Sequence, residues 1–276
     1  MVDQVLTVRS VLFMPADKPA MIAKIPAIAP DVAVVDLEDA VPAEGKNRAR
    51  QALPDVLRGL DVGPTRLCVR VNPPDSPWFL DDLALLRELA PGGTGVVLPK
   101  YEHPDQLRRV RAVVGDVPVV VGIESVLGVA DARPLLGEAV DAVYFGAEDY
   151  IADIGGRRTA AGLEVLYARS ATVAAARLNG VAAVDQAVMA VKDDDAYRRD
   201  ADAGRSLGYA GKLCLHPAQV VLAHEVFTPA PAEVRHAREV LAAGRDGAAA
   251  LDGQMVDEVH LKMARQTLAR AGETAP

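Results

Sequence analysis

Four charged side chains follow short apolar runs at widely separated points of the chain: Glu38, Arg70, Glu124 and Asp149. Hard divalent cations prefer carboxylate oxygens, and the planar guanidinium of arginine matches a carboxylate through two parallel hydrogen bonds. No His or Cys pair stands at metal-ligand spacing. We therefore predict a Mg²⁺ site formed by Glu124 and Asp149, with Mn²⁺ as the second choice of metal.

This set of side chains favours one type of reaction. Two carboxylate ligands leave about four of the six octahedral positions of Mg²⁺ for water and a chelating 2-oxo or 2-hydroxy carboxylate. The cation and Arg70 together would polarise a carbonyl group, which favours making or breaking the neighbouring carbon–carbon bond. Lys100 offers an alternative, the Schiff base of a class I aldolase, but the acids among its neighbours favour an ion-paired, charged lysine.

Each of these residues also has a purely structural interpretation. A carboxylate after a strand is often only the N-cap of the next helix, as for Asp39 or Asp149. A cap explains neither Arg70 nor Lys100, and several carboxylates at one place repel each other unless a cation neutralises them. The set as a whole therefore indicates a binding site.

The elements that must position these side chains are eight short β-branched runs separated by helical patterns. The runs are Ser10-Pro15, Asp31-Asp39, Arg66-Asn72, Gly95-Lys100, Pro118-Ser125, Ala142-Asp149, Ala182-Met189 and Ala210-Pro217. Strands that alternate with helices predict an α/β fold with a parallel sheet covered on the outside. Eight units fit a single (β/α)₈ TIM barrel, in which the carboxyl ends of all strands open on one mouth.

The domain organisation follows from the same reading. An open doubly wound sheet is the competing fold, but the chain has neither GxGxxG nor GxxxxGK[ST], and it has no GxSxG nucleophile elbow. Two more helical patterns, Ala232-Gly244 and Gln254-Ala271, follow the eighth strand. We predict a barrel domain at residues 1–228 and a C-terminal helical extension at 229–276 that serves as a lid or a subunit contact.

The composition is that of a folded, acidic protein. The 276 residues are 50% hydrophobic with a mean hydropathy of +0.13, which is too apolar for a disordered chain. The net charge of −8 disfavours nucleic acid or an anionic membrane as the main partner. Cys68 and Cys214 stand alone in apolar runs, and the chain has neither a signal-peptide layout nor a long apolar span. We predict a soluble cytoplasmic protein with reduced, buried thiols.

An ordered set of longer motifs spans essentially the whole chain. The motifs are RSVLFMPADKPAMIAKI, DVAVVDLEDAV, RVN, LPK, GIES, YFGAEDYIADIGGRRTAAGLEVLYARS, GYAGKLCLHPAQV and DGQMVD. Short pieces such as LPK are weakly specific, whereas the longer motifs together are highly specific. In this order they resemble the citrate lyase β-subunit-like proteins, in the malyl-CoA and citramalyl-CoA lyase group of the HpcH/HpaI aldolase superfamily.

The resemblance implies a Mg²⁺-dependent lyase with the cation on Glu124 and Asp149 and the oxo-acid held by Arg70. Such an enzyme cleaves, or forms by condensation, a 3-hydroxyacyl-CoA thioester such as malyl-CoA or citramalyl-CoA, and the products of cleavage are an acyl-CoA and a 2-oxo acid. It also implies a homotrimer or hexamer in which the C-terminal segment reaches over a neighbour's active site, with Asp257 as an acid or base. The alternative for Asp257 is an exposed helix cap.

The chain departs from the pattern of this family at two positions. Ala16 stands where the first-strand loop usually has glycine, and Val259 stands where the tail motif commonly has proline. We expect the first difference to alter the backbone near the thioester and the second to alter the lid. Neither involves the predicted metal ligands.

Several further polar residues have weaker functional interpretations. Period-two alternation places Glu38 on the strand face of Asp36, where we expect it to orient Arg70 or a metal-bound water. We expect His216 to bond its local turn rather than act as a general acid, and Asp193-Asp194-Asp195 to cap a helix rather than bind a metal. The candidates for the CoA phosphates are Arg9, Lys18, Lys24 and Arg48, although the sequence favours a solvated helix face for any one of them.

Two other functions stay open at this point. The protein can be a class II aldolase that acts on free 2-oxo acids and needs no CoA. It can also be a subunit of a citrate lyase complex that acts only when an acyl-carrier partner presents the thioester. Activity with soluble CoA esters, tested beside free 4-hydroxy-2-oxo acids, separates the three.

Overall fold

The computed structural model describes residues 8–244, 249–251 and 253–273. The chain forms two compact units, of which the first ends at His224 and the second begins at Glu225. Within the described ranges, no helix is long and apolar enough to cross a membrane. Cys68 and Cys214 are both free and buried, as the sequence predicted.

Eight parallel strands close into a barrel in the first unit, in the order β1 to β8. The strands are β1 (Ser10–Pro15), β2 (Val32–Asp36), β3 (Arg66–Arg70), β4 (Gly95–Leu98), β5 (Val119–Ile123), β6 (Ala142–Phe145), β7 (Ala182–Asp185) and β8 (Gly211–Cys214). Strand β1 pairs with both β2 and β8, which closes the sheet on itself. The predicted TIM barrel is confirmed.

The strands end earlier than the sequence predicted. From β2 onward, each predicted strand runs two to four residues past the last residue of the observed one. The polar residues that were taken as strand ends therefore lie in the loops beyond the ladder, and Asp149 lies in the first turn of a helix, Ala147–Asp153. The reason is that apolar character marks where a strand is buried, while the ladder stops where the chain turns toward the next helix.

Helices follow the strands along the first unit. They are α1 (Pro19–Ile22), α2 (Ile25–Ile28), α3 (Lys46–Leu57), α4 (Phe79–Leu89), α5 (Pro104–Val114), α6 (Val126–Ala130), α7 (Ala132–Leu135), α8 (Ala147–Asp153), α9 (Leu163–Asn179), α10 (Asp194–Leu207) and α11 (Pro217–Phe227). The Asp193 carboxylate accepts the Ala196 N–H at 2.8 Å and caps α10. This confirms the structural interpretation of the three-aspartate run.

Side chains two residues apart on the strands fill the barrel interior, because successive side chains of a strand point to opposite faces. This interior cluster consists of Val8, Val11, Val32, Val34, Cys68, Val97, Val120, Ala142, Tyr144, Ala182, Val184 and Leu213, with Phe13 and Ala187 packed against it. The residues of this cluster that are nearest to the carboxyl ends of the strands lie next to the mouth of the barrel. Phe13 and Tyr144 meet there edge to face, with ring centroids 5.9 Å apart.

The second unit has its own small core. It contains α12 (Pro231–Ala243), an antiparallel hairpin of β9 (Ala249–Leu251) and β10 (Gln254–Val256), and α13 (Glu258–Arg270). The core residues are Val234, Ala237, Val240, Val256, Leu261, Ala264 and Leu268. The sequence analysis missed this hairpin and began the last helix at Gln254. The helix begins later because the Asp257 carboxylate accepts the Val259 and His260 N–H groups and so ends the extended segment.

Candidate active site

Arg70 is clamped by two carboxylates at the end of β3. Register pairs it with Asp36 on the adjacent strand β2, and its Nε and Nη2 donate to the two oxygens of Asp36 at 2.7 and 2.6 Å. Its Nη1 lies 2.9 Å from Oε2 of Glu38. The guanidinium also packs over the Phe13 ring, 4.9 Å from the centroid. Arg70 is thereby held in one orientation at the mouth.

Glu38 contacts Arg70 although it does not lie on a strand. Because β2 ends at Asp36, the loop backbone rather than strand alternation positions Glu38. Lys46, buried in α3, donates to the carbonyl oxygens of Leu37 and Glu38 at 2.7 and 2.6 Å. The Asn72 amide donates to the same Leu37 oxygen at 3.1 Å. These bonds fix the loop that carries Glu38.

Burial dominates the protonation of Glu38. Its side chain is only 3% exposed, and desolvation raises its pKa to about 7, against the opposing effect of Arg70. The negative charge of Glu124 raises the pKa further, and Lys100 lowers it. A carboxyl group that titrates near neutral pH is suited to exchange protons under physiological conditions.

Lys100 bridges the two sides of the mouth. Its ammonium lies 3.1 Å from Glu38 and 3.3 Å from Asp149. The desolvation that would lower its pKa is outweighed by Glu38 and Asp149, so its pKa is raised. Lys100 is thus charged and ion-paired, which favours the interpretation that the sequence analysis preferred over a Schiff base.

Glu124 is buried without a direct cationic partner. It follows the last residue of β5 and is 3% exposed. Among the ion pairs of the described residues, none includes Glu124. Desolvation raises its pKa, Arg70 opposes the rise, and the nearby charge of Asp149 adds to it. A buried carboxylate left in this state destabilises the protein unless a cation binds.

Two glycines make room for the Glu124 side chain. A Cβ on Gly146 would lie 2.5 Å from Cγ of Glu124, and a Cβ on Gly122 would lie 2.6 Å from Cζ of Tyr144. Both separations are far below van der Waals contact. The local sequence therefore leaves a cradle for a carboxylate at the end of β5.

This arrangement fits a hard divalent cation. Strands β5 and β6 are neighbours. Glu124 directly follows β5, and Asp149, which is 41% exposed, lies in the first turn of α8 after β6. Over the described ranges no group of three or more His, Cys, Asp or Glu side chains forms a metal cluster. A cation there would have two carboxylate ligands and would keep its other positions for water and substrate.

The fifth predicted site residue, Asp257, belongs to the second unit. Its carboxylate lies 2.7 Å from Nδ1 of His260 and caps α13. The His260 hydrogen bond lowers the pKa of Asp257. The helix-cap interpretation is thus correct as local structure, and the acid or base role stays a prediction.

The secondary predictions for the other polar residues fare differently. The Ala218 N–H donates to Nδ1 of His216 at 3.2 Å, which confirms the local turn contact. The side chains of Lys18, Lys24 and Arg48 are exposed. Arg9 instead forms a two-pronged ion pair with Asp31 at the start of β2. Their proposed contact with CoA phosphates stays a prediction.

A Ser, His and Asp group at the other end of the barrel looks like a hydrolase triad but lacks its geometry. Nε2 of His224 lies 2.9 Å from the Ser10 hydroxyl and 3.4 Å from Asp31, so one ring nitrogen meets both partners. In a catalytic triad the two ring nitrogens serve different partners. Ser10 is also fully buried, and the group therefore stabilises the closed end of the barrel.

Two more residues belong to the mouth, of which the sequence placed Lys100 in the charged set and gave no indication of Tyr144. Lys100 has a backbone φ of +50°, a conformation that costs energy in a non-glycine residue and tends to occur at functional sites. Tyr144 points into the barrel from β6, beside Glu124. The LPK motif drew attention to Lys100, whereas the inward direction of Tyr144 depends on the strand register.

The comparisons with known proteins agree with this geometry. Residues 9–217 match the family described as HpcH/HpaI aldolase/citrate lyase. A citrate lyase subunit beta-like protein of Deinococcus radiodurans is 48% identical, over 94% of this chain and 96% of the relative. The mitochondrial citramalyl-CoA lyase of Homo sapiens is 32% identical, over 95% of this chain and 85% of the relative.

A solved structure extends the similarity to the whole fold. The crystal structure of the protein CitE from Mycobacterium tuberculosis in complex with magnesium, acetoacetate and coenzyme A superposes with a TM-score of 0.81. The two chains are 34% identical, and the match covers 96% of this chain and 98% of the other. The family match over most of the barrel and the high identity to full-length relatives agree: this chain belongs to the HpcH/HpaI aldolase/citrate lyase family.

Proposed function

We propose that the protein is a Mg²⁺-dependent carbon–carbon lyase that cleaves, or forms, a 3-hydroxyacyl-CoA thioester such as malyl-CoA or citramalyl-CoA. The observation that carries the proposal is Glu124, a buried carboxylate without an ion pair, placed beside Asp149 and the clamped Arg70. Relatives named for citramalyl-CoA lyase activity and a neighbour bound to magnesium and coenzyme A support it.

Glu124 and Asp149 would hold the cation, and Mn²⁺ would replace Mg²⁺ on the same oxygens. When bound, the cation supplies Lewis acidity to the substrate oxygen next to the bond that breaks. Glu124 directly after β5 and Asp149 in the first turn of α8 would each supply a carboxylate oxygen, which would leave other coordination positions for water and the substrate. The residues present therefore fit the group that the family implies.

Arg70 would bind the carboxylate of the 2-oxo acid. A guanidinium has five N–H groups. Arg70 uses one on Nε and one on Nη2 for Asp36, while Nη1 lies at ion-pair distance from Glu38 without a regular hydrogen bond. Both terminal nitrogens keep an N–H group, which matches a two-point contact with a carboxylate. Asp36 and Glu38 hold this fork in place before the substrate arrives.

Glu38 and Asp257 would handle protons. The pKa of Glu38, raised to about 7 by burial, would let it take the proton of the substrate hydroxyl as the carbonyl forms in cleavage. Asp257 would give a proton to the thioester enolate that cleavage releases, and in condensation it would take that proton back from the acyl-CoA.

A panel of substrates tests the proposal. We expect turnover of malyl-CoA or citramalyl-CoA that EDTA abolishes and Mg²⁺ restores, with little turnover of free 4-hydroxy-2-oxo acids. Turnover of the free acids alone would instead identify the class II aldolase. Inactivity with every soluble ester, with activity gained when a small acidic acyl carrier is added, would identify the subunit of a carrier-dependent complex.

The oligomer that we propose, a homotrimer or hexamer, rests on an exposed apolar stripe along α9. Leu163, Tyr167 and Leu178 are 71%, 73% and 70% exposed, and their spacing places them on one side of the helix. The opposite side, which includes Val165 and Ala168, is buried. We expect Tyr167→Glu to lower the molar mass measured by light scattering, and an unchanged mass would count against this interface.

Asp257 would act on the barrel mouth of a neighbouring copy. It lies among exposed apolar side chains, Met255, Val259 and Met263, which are 64%, 63% and 60% exposed, as expected of a segment that docks on a protein surface. Mixing inactive Asp257→Ala with inactive Glu124→Ala tests this. Recovery of activity in mixed oligomers supports a shared site, and no recovery contradicts it. The cytoplasmic location stays a prediction.

A further inference from the structure

Tyr144 is a buried residue of the barrel interior that the proposed chemistry does not yet use. It lies one residue before the end of β6 and is 2% exposed. Its hydroxyl has no hydrogen bond of regular geometry in the described part of the chain. A buried hydroxyl without a partner of good geometry destabilises the folded state. The protein therefore retains an unfavourable group directly below the mouth.

The surroundings of the hydroxyl show which group it faces. Register pairs Tyr144 with Gly122 on β5, and the absent Gly122 side chain leaves the space that the tyrosine ring fills. The Tyr144 hydroxyl and Oε1 of Glu124 are the two polar atoms nearest to the position of a Cβ on Gly122. The hydroxyl and this carboxylate oxygen therefore lie side by side.

The electrostatics agree with that contact. Burial raises the pKa of Tyr144, and the charge of Glu124 raises it further. A hydrogen bond from the tyrosine in turn acts to lower the pKa of Glu124, against the larger effect of burial. The neutral hydroxyl is thus a hydrogen-bond donor next to a carboxylate that has no ion pair.

We propose that Tyr144 is a positioning residue for the divalent cation: its hydroxyl donates to Oε1 of Glu124 and leaves Oε2 directed at the metal. The inference rests on the proposed function, because it assumes that Glu124 is a metal ligand. Groups that hydrogen-bond to a metal-bound carboxylate fix its orientation, and their loss weakens metal binding. Hydrogen bonds of this kind are often long in the free enzyme and tighten when the ligands bind.

Tyr144→Phe removes one oxygen and keeps the ring and its contact with Phe13. We expect the metal-free variant to unfold at the same or a higher temperature than the wild type, because an unpartnered buried hydroxyl is lost. We expect its Kd for Mn²⁺, measured by EPR of the free ion, to rise about 10-fold. The Mg²⁺ concentration for half-maximal turnover should rise by the same factor, with kcat at saturating Mg²⁺ close to wild type.

Tyr197→Phe is the matched control. Tyr197 is also fully buried, and its hydroxyl lies 3.5 Å from the Leu213 carbonyl oxygen and 3.2 Å from Sγ of Cys214. Its loss should lower the unfolding temperature and leave the Kd for Mn²⁺ unchanged. Tyr144→Phe should therefore weaken metal binding without a loss of stability, and Tyr197→Phe should lower the stability without a loss of metal binding.

The outcomes are distinct. If the wild type binds Mn²⁺ and Tyr144→Phe binds it equally well, Tyr144 only fills the core and the inference is wrong, while the proposed function stands. If the wild type itself binds no Mn²⁺, the proposed metal site fails and this inference fails with it.

Discussion

The first unit contains two clusters of buried charge, one at the barrel mouth and one outside β7 and β8, and they differ in how completely their charges are paired. In the outer cluster, Lys212 lies 2.9 Å from Asp185 and 2.5 Å from Asp200. Arg169 donates to both oxygens of Asp185 at 3.0 and 2.6 Å and reaches Asp200 at 3.3 Å. Two cations and two carboxylates satisfy each other there.

At the barrel mouth the negative charges outnumber the positive charges. Asp36, Glu38 and Asp149 pair with Arg70 or Lys100, and Glu124 lies beside them without an ion pair. When all four carboxyl groups are ionised, this set has two more negative than positive charges. One divalent cation supplies that charge. The comparison shows that buried charges which all have partners stabilise the fold. A cluster with more negative than positive charges is instead arranged to bind a cation.

Of the variants that distinguish the two clusters, Glu124→Ala should have the largest effect on turnover. Loss of a metal ligand should lower Mg²⁺-dependent turnover by about 10⁴-fold, equivalent to about 5.5 kcal/mol. The unfolding temperature of the metal-free protein should stay the same or rise, because an unpaired buried charge is removed. The measurements are kcat at saturating Mg²⁺ and a thermal melt. Asp116→Ala, a fully exposed carboxylate after α5, is the control, and retained turnover in Glu124→Ala would contradict the assignment.

Lys212→Met should lower the stability of the fold and leave metal binding unchanged. It leaves Asp185 and Asp200 with one cation fewer in a buried place, which typically costs about 3–5 kcal/mol of folding free energy. Urea unfolding measures that loss, while the Kd for Mn²⁺ should not change in the folded protein. The exposed Lys192→Met serves for comparison. A loss of metal affinity without a loss of stability would show that the outer cluster belongs to the site.

Glu38→Gln should have a smaller effect on turnover, about 10- to 100-fold, because it loosens Arg70 and Lys100 without removing either. In the wild type, kcat/KM should fall as the pH drops below about 7, since burial raises the pKa of Glu38 to about 7 and protonation removes the charge that holds both cations. In the Glu38→Gln variant this fall of kcat/KM at low pH should disappear. A fall with the same midpoint in the variant would show that another group titrates.

The smallest effect concerns the closed end of the barrel. Burial, with Arg9 adding to it, lowers the pKa of His224 from 6.5. The unfolded chain then binds the proton more readily, so folding stability is lost as the pH falls from about 6.5 toward the lower folded value. Urea unfolding at pH 7.5 and 5.5 measures the loss, and His224→Gln should reduce it. An equal loss in the variant would place the pH sensitivity elsewhere.

The barrel could be predicted because eight β-branched runs carry a buried sheet's composition, but its details could not. Strand ends were misplaced since Glu38 and Lys100 lie in loops and Asp149 in a helix, and hydrogen bonds such as those from Lys46 that fix the loop of Glu38 cannot be read from strand composition. The β9–β10 hairpin was missed because its strands are three residues long and β9 consists of alanine and leucine instead of β-branched residues.

The candidate site divides along the same line. Arg70, Glu38, Glu124 and Asp149 are recognisable because charged side chains after apolar strands have few other reasons to converge on one mouth. The role of Tyr144 could not be seen, because a tyrosine in an apolar run is normally core, and only the register with Gly122 brings its hydroxyl to Glu124. Which charged side chains form ion pairs with each other is likewise visible only in the structure.

The central claim is that Glu124 and Asp149 together hold one divalent cation. Titration of Mn²⁺ followed by EPR tests it most directly, with the wild type, Glu124→Ala, Asp149→Ala and Lys212→Met at a pH where all are folded. The account predicts one bound Mn²⁺ per chain in the wild type and in Lys212→Met, and loss of that binding in both carboxylate variants. Undiminished binding in either carboxylate variant, or none in the wild type, would contradict it.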